Sequence, residues 1–406
     1  MERKRIAFIV LLVIVIGLGS YGLYFWYRWD KPLVIKPLPD PFEFNNGTRV
    51  ETVEEWQVRR QEIKDTLLEI EYGHMPGRPD ALKAKIIDSE EREDGSTLNT
   101  LKLTIIPSNS SPEDKFSFTV WQYVPEGDGP FPTVVKVAAD GTGSQTEVNP
   151  LMMERGYMYV CYNHTALDPD TMGYDVEGPC QEAYPKYDWG SIAVWAWGAM
   201  RVADFVLAEP WVEYSDDLPN VDPNVLIITG HSRRGKTALL AGAMDERFTM
   251  VVPNGSGCGG AGSFLIQGYF AETIAEITSK ELYRSWFHED FDEYAHNEVE
   301  LTFDQHFLRA LVAPRVIIST EAYGDLWANP TGTQAIYEAT LPVFEFLDAE
   351  KKNGLHYRHG FHAFTEEDFE VFLDFADKML LDKEVSGDFY MTPYDLDIPL
   401  DYDAPE

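Results

Sequence analysis

The chain has 406 residues, enough for one large α/β domain or two of ordinary size. Its 68 acidic residues outnumber 33 basic ones, for a net charge of −35. A field of that sign opposes the Lys/Arg–phosphate contacts on which nucleic-acid affinity rests, so nucleic acid is excluded as a partner. The 44% of hydrophobic residues allow a packed core. Cys161, Cys180 and Cys258 have neither metal-site spacing nor a disulfide framework; a single bridge, if one forms, pairs Cys161 with Cys180 by nearness in sequence.

In chain order, Arg3, Lys4 and Arg5 precede Ile6 to Tyr27, an uncharged run of 22 residues. As a helix it reaches roughly 33 Å, enough to cross a bilayer, and it ends in aromatic residues suited to the membrane interface. The competing reading is a cleaved signal peptide with Gly17-Leu-Gly19 as its small-residue site. The apolar run continues past that site, which favours a transmembrane anchor over residues 1–30. Either way the remainder lies outside the cytoplasm, membrane-anchored or, after cleavage, secreted.

A proline-rich spacer (30–46) leads to a helix over 53–72 with Thr52 as N-cap. Leu101 to Pro107 and Phe116 to Val124 read as adjacent strands, Thr133 to Ala138 as a buried strand before the glycine-rich 139–144, and Tyr157 to Tyr162 as the next strand. A helix over 188–206 carries Trp189, Trp195 and Trp197 as core residues, and 212–223 reads as a loop. Further strands are expected at 250–253 and 315–319, with an irregular insertion over 264–291 between them. An amphipathic helix at 366–381 closes the domain. This alternation predicts a mostly parallel sheet covered on both faces, with ligands at the carboxyl ends of its strands. The expected organisation is an anchor (1–30), a catalytic domain (31–384) and an acidic tail (385–406).

The central stretch is Val225-Leu-Ile-Ile-Thr-Gly-His-Ser-Arg-Arg-Gly-Lys-Thr237 followed by an Ala/Leu-rich run: strand, turn over 230–235, helix. Two chemistries fit it. Gly230-x-Ser232 matches a nucleophile elbow, which needs an acid and then a histidine later in the chain. Gly230-x-x-x-x-Gly235-Lys236-Thr237 matches a phosphate-binding loop, which needs a second strand ending in a magnesium-binding acid. The candidate second strand is followed by Thr320-Glu321, a poor match, and an exported domain does not normally meet nucleotide. For the elbow, Asp325 follows the 315–319 strand and His362 precedes the last helix, so the order Ser232, Asp325, His362 is satisfied. Glu321 is the alternative acid. The Arg233 amide, next after the nucleophile, is one oxyanion donor.

Gly230-His-Ser-Arg-Arg-Gly-Lys-Thr-Ala-Leu239, Ser256-Gly-Cys-Gly-Gly-Ala261, Asp304-Gln-His306, Ala313-Pro-Arg315, Asp325-Leu-Trp327, Glu71-Tyr-Gly73 and Asp188-Trp-Gly-Ser191 together resemble glucuronoyl esterases of carbohydrate esterase family 15. The resemblance implies a three-layer α/β-hydrolase sandwich that cleaves (4-O-methyl-)glucuronate esters of lignin–glucuronoxylan, a carbohydrate ester substrate, without cofactor or metal. It implies that the Arg233 guanidinium is a second oxyanion donor, that Lys236 and Trp327 contact the sugar, and that Glu272 binds it too. Many such enzymes carry a glutamate where this chain has Gly255, whereas others place the acid where Asp325 stands. Arg234 departs from the smaller or apolar residue usual there. An acetyl xylan esterase, a nucleotide-binding protein and a non-catalytic carbohydrate binder are the competing functions.

Overall fold

Alternation with a period of two decides the architecture. The computed structural model describes residues 32–108, 115–138, 149–171, 178–398 and 400–405. The expected transmembrane helix and the glycine-rich loop 139–144 lie outside them; among the described residues, no helix is long and apolar enough to cross a membrane.

Strands β1 (Leu33–Val34) and β10 (Ile266–Gln267) form a small antiparallel pair. The main sheet contains β2 (Ala81–Glu91), β3 (Thr97–Ile106), β4 (Phe116–Val124), β5 (Phe131–Ala138), β6 (Met158–Asn163), β7 (Val212–Tyr214), β8 (Val221–His231), β9 (Met250–Asn254), β11 (Val316–Ala322) and β12 (Asn353–Arg358). Their spatial order is β12-β11-β9-β8-β5-β6-β4-β3-β2-β7. From β12 to β6 every neighbouring pair is parallel, and β4, β3 and β2 continue the sheet antiparallel.

Successive side chains of a strand face opposite ways. On one face Val135, Leu226, Ile228, Val251 and Ile317 join a large core; on the other Val134, Val225, Ile227, Val252 and Ile318 join a second one. Helix α4 (Ser191–Val206) fills the first core with Ile192, Trp195 and Trp197, alongside α5 (Arg233–Met244). These follow α1 (Val53–Leu67), α2 (Asn149–Glu154) and α3 (Pro179–Ala183). After them come α6 (Ile274–Ile277), α7 (His306–Ala310), α8 (Pro330–Phe346) and α9 (Glu366–Leu380). Helix α9 covers the second core with Phe369, Phe372 and Phe375. Helices on both faces of a central sheet make the expected three-layer sandwich.

Thr52 caps α1 by accepting from the Glu55 amide. Four expectations change. The stretch 212–223 is not a loop, because Val212–Tyr214 pairs with β2 and β8 already starts at Val221. Strand β2 is an addition: only Leu82 and Ala84 are buried along its half-polar length. The turn at 230–235 is far tighter, since α5 begins at Arg233. All three cysteines are free and buried, so Cys161 and Cys180 form no bridge.

Helix α5 approaches the sheet closely because Gly242 lies over β9. A Cβ there would come within 2.3 Å of Val251 Cγ2. Gly242→Ala should therefore destabilise by about 1–3 kcal/mol through overpacking, despite the ~1 kcal/mol that alanine contributes in a helix. Adding Val251→Ala should recover part of the loss in urea unfolding, whereas simple additivity would refute this packing account.

Candidate active site

The turn between β8 and α5 is one residue wide. Ser232 sits there with φ 59° and ψ −128°, a conformation that costs a non-glycine residue on the order of 1–3 kcal/mol. Its amide donates to Asn254 O (2.9 Å), and its carbonyl accepts from the amides of Gly235 (2.8 Å) and Lys236 (3.0 Å). Gly230 is obligatory because a Cβ there would lie 2.2 Å from Arg234 O. Gly235 is required as well, because a Cβ there would crowd Asn254 O at 3.0 Å and Ser256 Cβ at 2.9 Å. Arg233 opens the helix, so its amide has no intrahelical acceptor.

His362 arrives from the β12–α9 loop and Asp325 from the loop after β11. The two loops extend the β11–β12 ladder: the Tyr323 amide donates to Arg358 O (3.0 Å) and the Gly324 amide to Gly360 O (2.9 Å). The His362 Nδ1–H donates to Asp325 Oδ2 at 2.6 Å. Buried Arg358 fastens the histidine loop. It donates to the carbonyls of His359 (3.2 Å) and Ala363, and its Nε donates to Asp368 Oδ2 at 2.7 Å in the capping box of α9. The ring of His231, next to Ser232, lies 4.4 Å from that of His362. Burial, reinforced by the positive field of His362, lowers His231 to about 4, so it is a neutral wall beside the pair.

Glu321, the alternative acid, does not reach His362. Its side chain is fully buried, both carboxylate oxygens lack a hydrogen-bond partner, and burial raises its pKa well above the usual range. Gly255 explains the missing glutamate. Its φ is +48°, and a Cβ would stand 3.3 Å from Asp325 Oδ2, so the volume a longer side chain needs is already occupied by the Asp325 carboxylate.

Lys236 Nζ donates to Ser256 O (2.7 Å), Cys258 O (2.6 Å) and Glu272 Oε2 (2.8 Å). An ammonium has three protons, so all are engaged and the side chain is buried. Lys236, expected at the sugar, is thus turned inward, and the competing phosphate-loop reading has no free lysine. Glu272 Oε1 accepts from Trp327 Nε1 at 3.2 Å, and Trp327 is 45% exposed. Lys236, Glu272 and Trp327 are therefore one connected group. His306, Asp304 and Gln305 serve structure: His306 Nε2–H donates to Pro39 O, Asp304 accepts from the amides of Phe264 and Leu265, and Gln305 donates to Glu71. Among the described residues no cluster is suited to a metal ion.

Asn254, Asp170, Tyr283 and Trp286 went unseen in the sequence. Asn254 accepts from His231 Nδ1–H (2.6 Å) and donates to Thr320 O (3.0 Å). Arg233 Nη1 donates to both oxygens of Asp170 (2.9 and 3.1 Å), with its guanidinium 4.8 Å from the Trp286 ring. Only the two adjacent arginines hinted that an acid must lie nearby.

Residues 108–348 match the family model described as glucuronyl esterase, fungi. The chain belongs to the glucuronyl esterase family. It is 28% identical over 364 residues to the 4-O-methyl-glucuronoyl methylesterase of Schizophyllum commune, covering 87% of this chain and 85% of that enzyme. It is 29% identical to the enzyme of the same name from Podospora anserina, over 78% of this chain but 61% of that longer protein. The glucuronoyl esterase structure of carbohydrate esterase family 15 from Caldicellulosiruptor kristjansonii superimposes with a TM-score of 0.77 at 30% identity, covering 92% of this chain and 98% of that one.

Beneath the Ser256–Ala261 segment, Glu71 is fully buried; Gln305 donates to its Oε1 at 2.6 Å while Oε2 has no partner. Burial raises it from 4.5 to about 8. The folded state therefore holds a proton that the unfolded chain releases near pH 4.5. This contribution to stability is complete below pH 4.5 and is lost as pH rises towards 8. Glu71→Gln keeps the acceptor and removes the titration, so its unfolding midpoint relative to the parent should rise from pH 5 to pH 8. Parallel curves would contradict this.

Proposed function

We propose that this protein is a serine carboxylic-ester hydrolase of carbohydrate esters, cleaving (4-O-methyl-)glucuronate esters of the lignin–glucuronoxylan kind. The observation that carries the reading is the 2.6 Å bond from His362 to Asp325, held by two zipped loops beside the strained Ser232. In this reading Ser232 Oγ attacks the ester carbonyl as His362 Nε2 takes its proton. Asp325 fixes the tautomer that leaves Nε2 free to do so, and stabilises the imidazolium that forms. The oxyanion is met by the Arg233 amide at the positive end of α5 and by the Arg233 guanidinium. His362 then returns the proton to the departing alcohol, and water repeats the sequence on the acyl-enzyme.

Trp327 and Glu272 supply the sugar surface, an aromatic face beside a hydroxyl-accepting carboxylate. Lys236 holds that carboxylate in place. A buried glutamate stripped of its lysine would be an uncompensated charge costing about 3–5 kcal/mol, which is why the pair is kept together. The similarity to relatives named 4-O-methyl-glucuronoyl methylesterase supports the choice of ester.

Ser232→Ala should abolish hydrolysis of benzyl or methyl glucuronate by a factor on the order of 10⁴ or more, and Asp325→Asn should reduce kcat by about 10³–10⁴-fold. Retained turnover in Ser232→Ala would end the serine mechanism. A near-normal Asp325→Asn would remove Asp325 from the orienting role. Acetylated xylan turned over in preference to glucuronate esters would make this an acetyl esterase.

We also read residues 6–27 as a membrane anchor, on the uncharged run after Arg3, Lys4 and Arg5. The full chain should then stay with membranes through an alkaline carbonate wash. Recovery in the soluble fraction would show instead that the segment is cleaved or does not insert.

A further inference from the structure

We propose that Asp170 is a positioning residue for the reaction, fixing the Arg233 guanidinium so that its remaining N–H groups face the oxyanion; this rests on the esterase reading above. The restraint has three parts. Asp170 receives Nη1 with both oxygens, at 2.9 and 3.1 Å, which leaves Nε and Nη2 without another hydrogen bond among the described residues. Trp286 and Tyr283, stacked on each other at 4.0 Å, support the cation with ring centroids 4.8 and 5.5 Å from its central carbon. A flexible arginine is thereby confined by its edge and its face, lowering the ordering entropy that must otherwise be lost in the transition state.

The carboxylate is itself held from behind. Asp168, two residues earlier and fully buried, accepts from the Gly178 amide and Ser191 Oγ, each at 2.6 Å, and its carbonyl accepts from Trp195 Nε1 at 2.9 Å. That ties the segment to the first turns of α4. His164 is also fully buried; its Nδ1–H donates to Ala138 O at 2.5 Å, and its Nε2 lies 3.5 Å from Asp170 Oδ2. Burial would raise the Asp170 pKa, but the Arg233 guanidinium outweighs it and holds the carboxyl low. Asp170 is therefore ionised wherever the histidine mechanism operates. Its segment follows β6, whereas Arg233 follows β8, so the contact links chain beyond the carboxyl ends of two strands.

A group acting through the oxyanion donor alters kcat rather than ground-state binding. The test is a double-mutant cycle of Asp170→Ala and Arg233→Ala, with kcat and KM measured on methyl glucuronate and on p-nitrophenyl acetate. Loss of an oxyanion donor costs about 10²–10³-fold, so loss of its support should lower kcat by roughly 10–100-fold with KM within about twofold. In the Arg233→Ala background, Asp170→Ala should have no further effect. A wild-type kcat in Asp170→Ala, or losses that multiply in the double variant, overturns the proposal. If the alanine variant does not fold, near-isosteric Asp170→Asn enters the same cycle: a smaller loss confined to the Arg233 background supports positioning, and an equal loss in both backgrounds overturns it. If methyl glucuronate is inert while p-nitrophenyl acetate is cleaved in a Ser232-dependent way, the substrate reading fails and the cycle on the second ester still decides the role of Asp170. Absence of Ser232-dependent cleavage of either ester overturns both.

Discussion

One row of residues across the sheet aligns Ser232, Asp325 and His362. In the parallel register His231 on β8 pairs with Asn254 on β9, Asn254 with Thr320 on β11, and Thr320 with His356 on β12. Chain leaves the sheet just beyond this row to form the Ser232 corner, the Asp325 loop and the His362 loop. Asn254 is its hub, bonded by its backbone to the Ser232 amide and by its side chain to His231 and Thr320. A one-residue slip between β9 and either neighbour would reverse the faces and separate these groups. The two hydrophobic cores that press on opposite faces oppose such a slip, so packing remote from the site sets its geometry.

Charge is managed locally in this acidic molecule. Arg233 faces Asp170, Lys236 faces Glu272, and Arg358 faces Asp368, each at 2.7–2.9 Å; the last two pairs are buried and the first is half-buried. Buried ion pairs contribute little net stability because desolvation offsets their attraction, but they fix geometry firmly, since moving either member exposes an uncompensated charge. Here each pair fastens a loop or the first turn of a helix next to Ser232. Ser232 and the loops around it are thus held by interactions that strengthen as water is excluded.

Exchange between two positions for the acid follows from volume. The space in front of His362 accommodates one carboxylate, and Asp325 fills it from β11 while Gly255 withdraws on β9 with a left-handed backbone. A longer side chain at 255 and the present Asp325 would compete for the same volume. Glu321, one strand-end residue too early, points into the protein interior.

The sandwich, the elbow at Ser232 and the order of serine, acid and histidine were legible in the sequence. They rest on local signals: β-branched runs, obligatory glycines at a tight turn, and helical periodicity that follows at once. What only the tertiary structure decided depends on residues far apart in the chain. Asp170 meets Arg233 across 63 positions, and Asn254 meets Thr320 across 66. Strand β2 has too little buried surface to announce itself, and the short β7 is defined by its partner. Lys236 could equally have faced a phosphate, a sugar or a glutamate, because its letter records a charge and not a direction. Once α5 begins directly after Ser232, helical geometry turns that lysine inward onto Glu272. The Ser232 corner is a property of the local chain, whereas the groups gathered around it are a property of the sheet register.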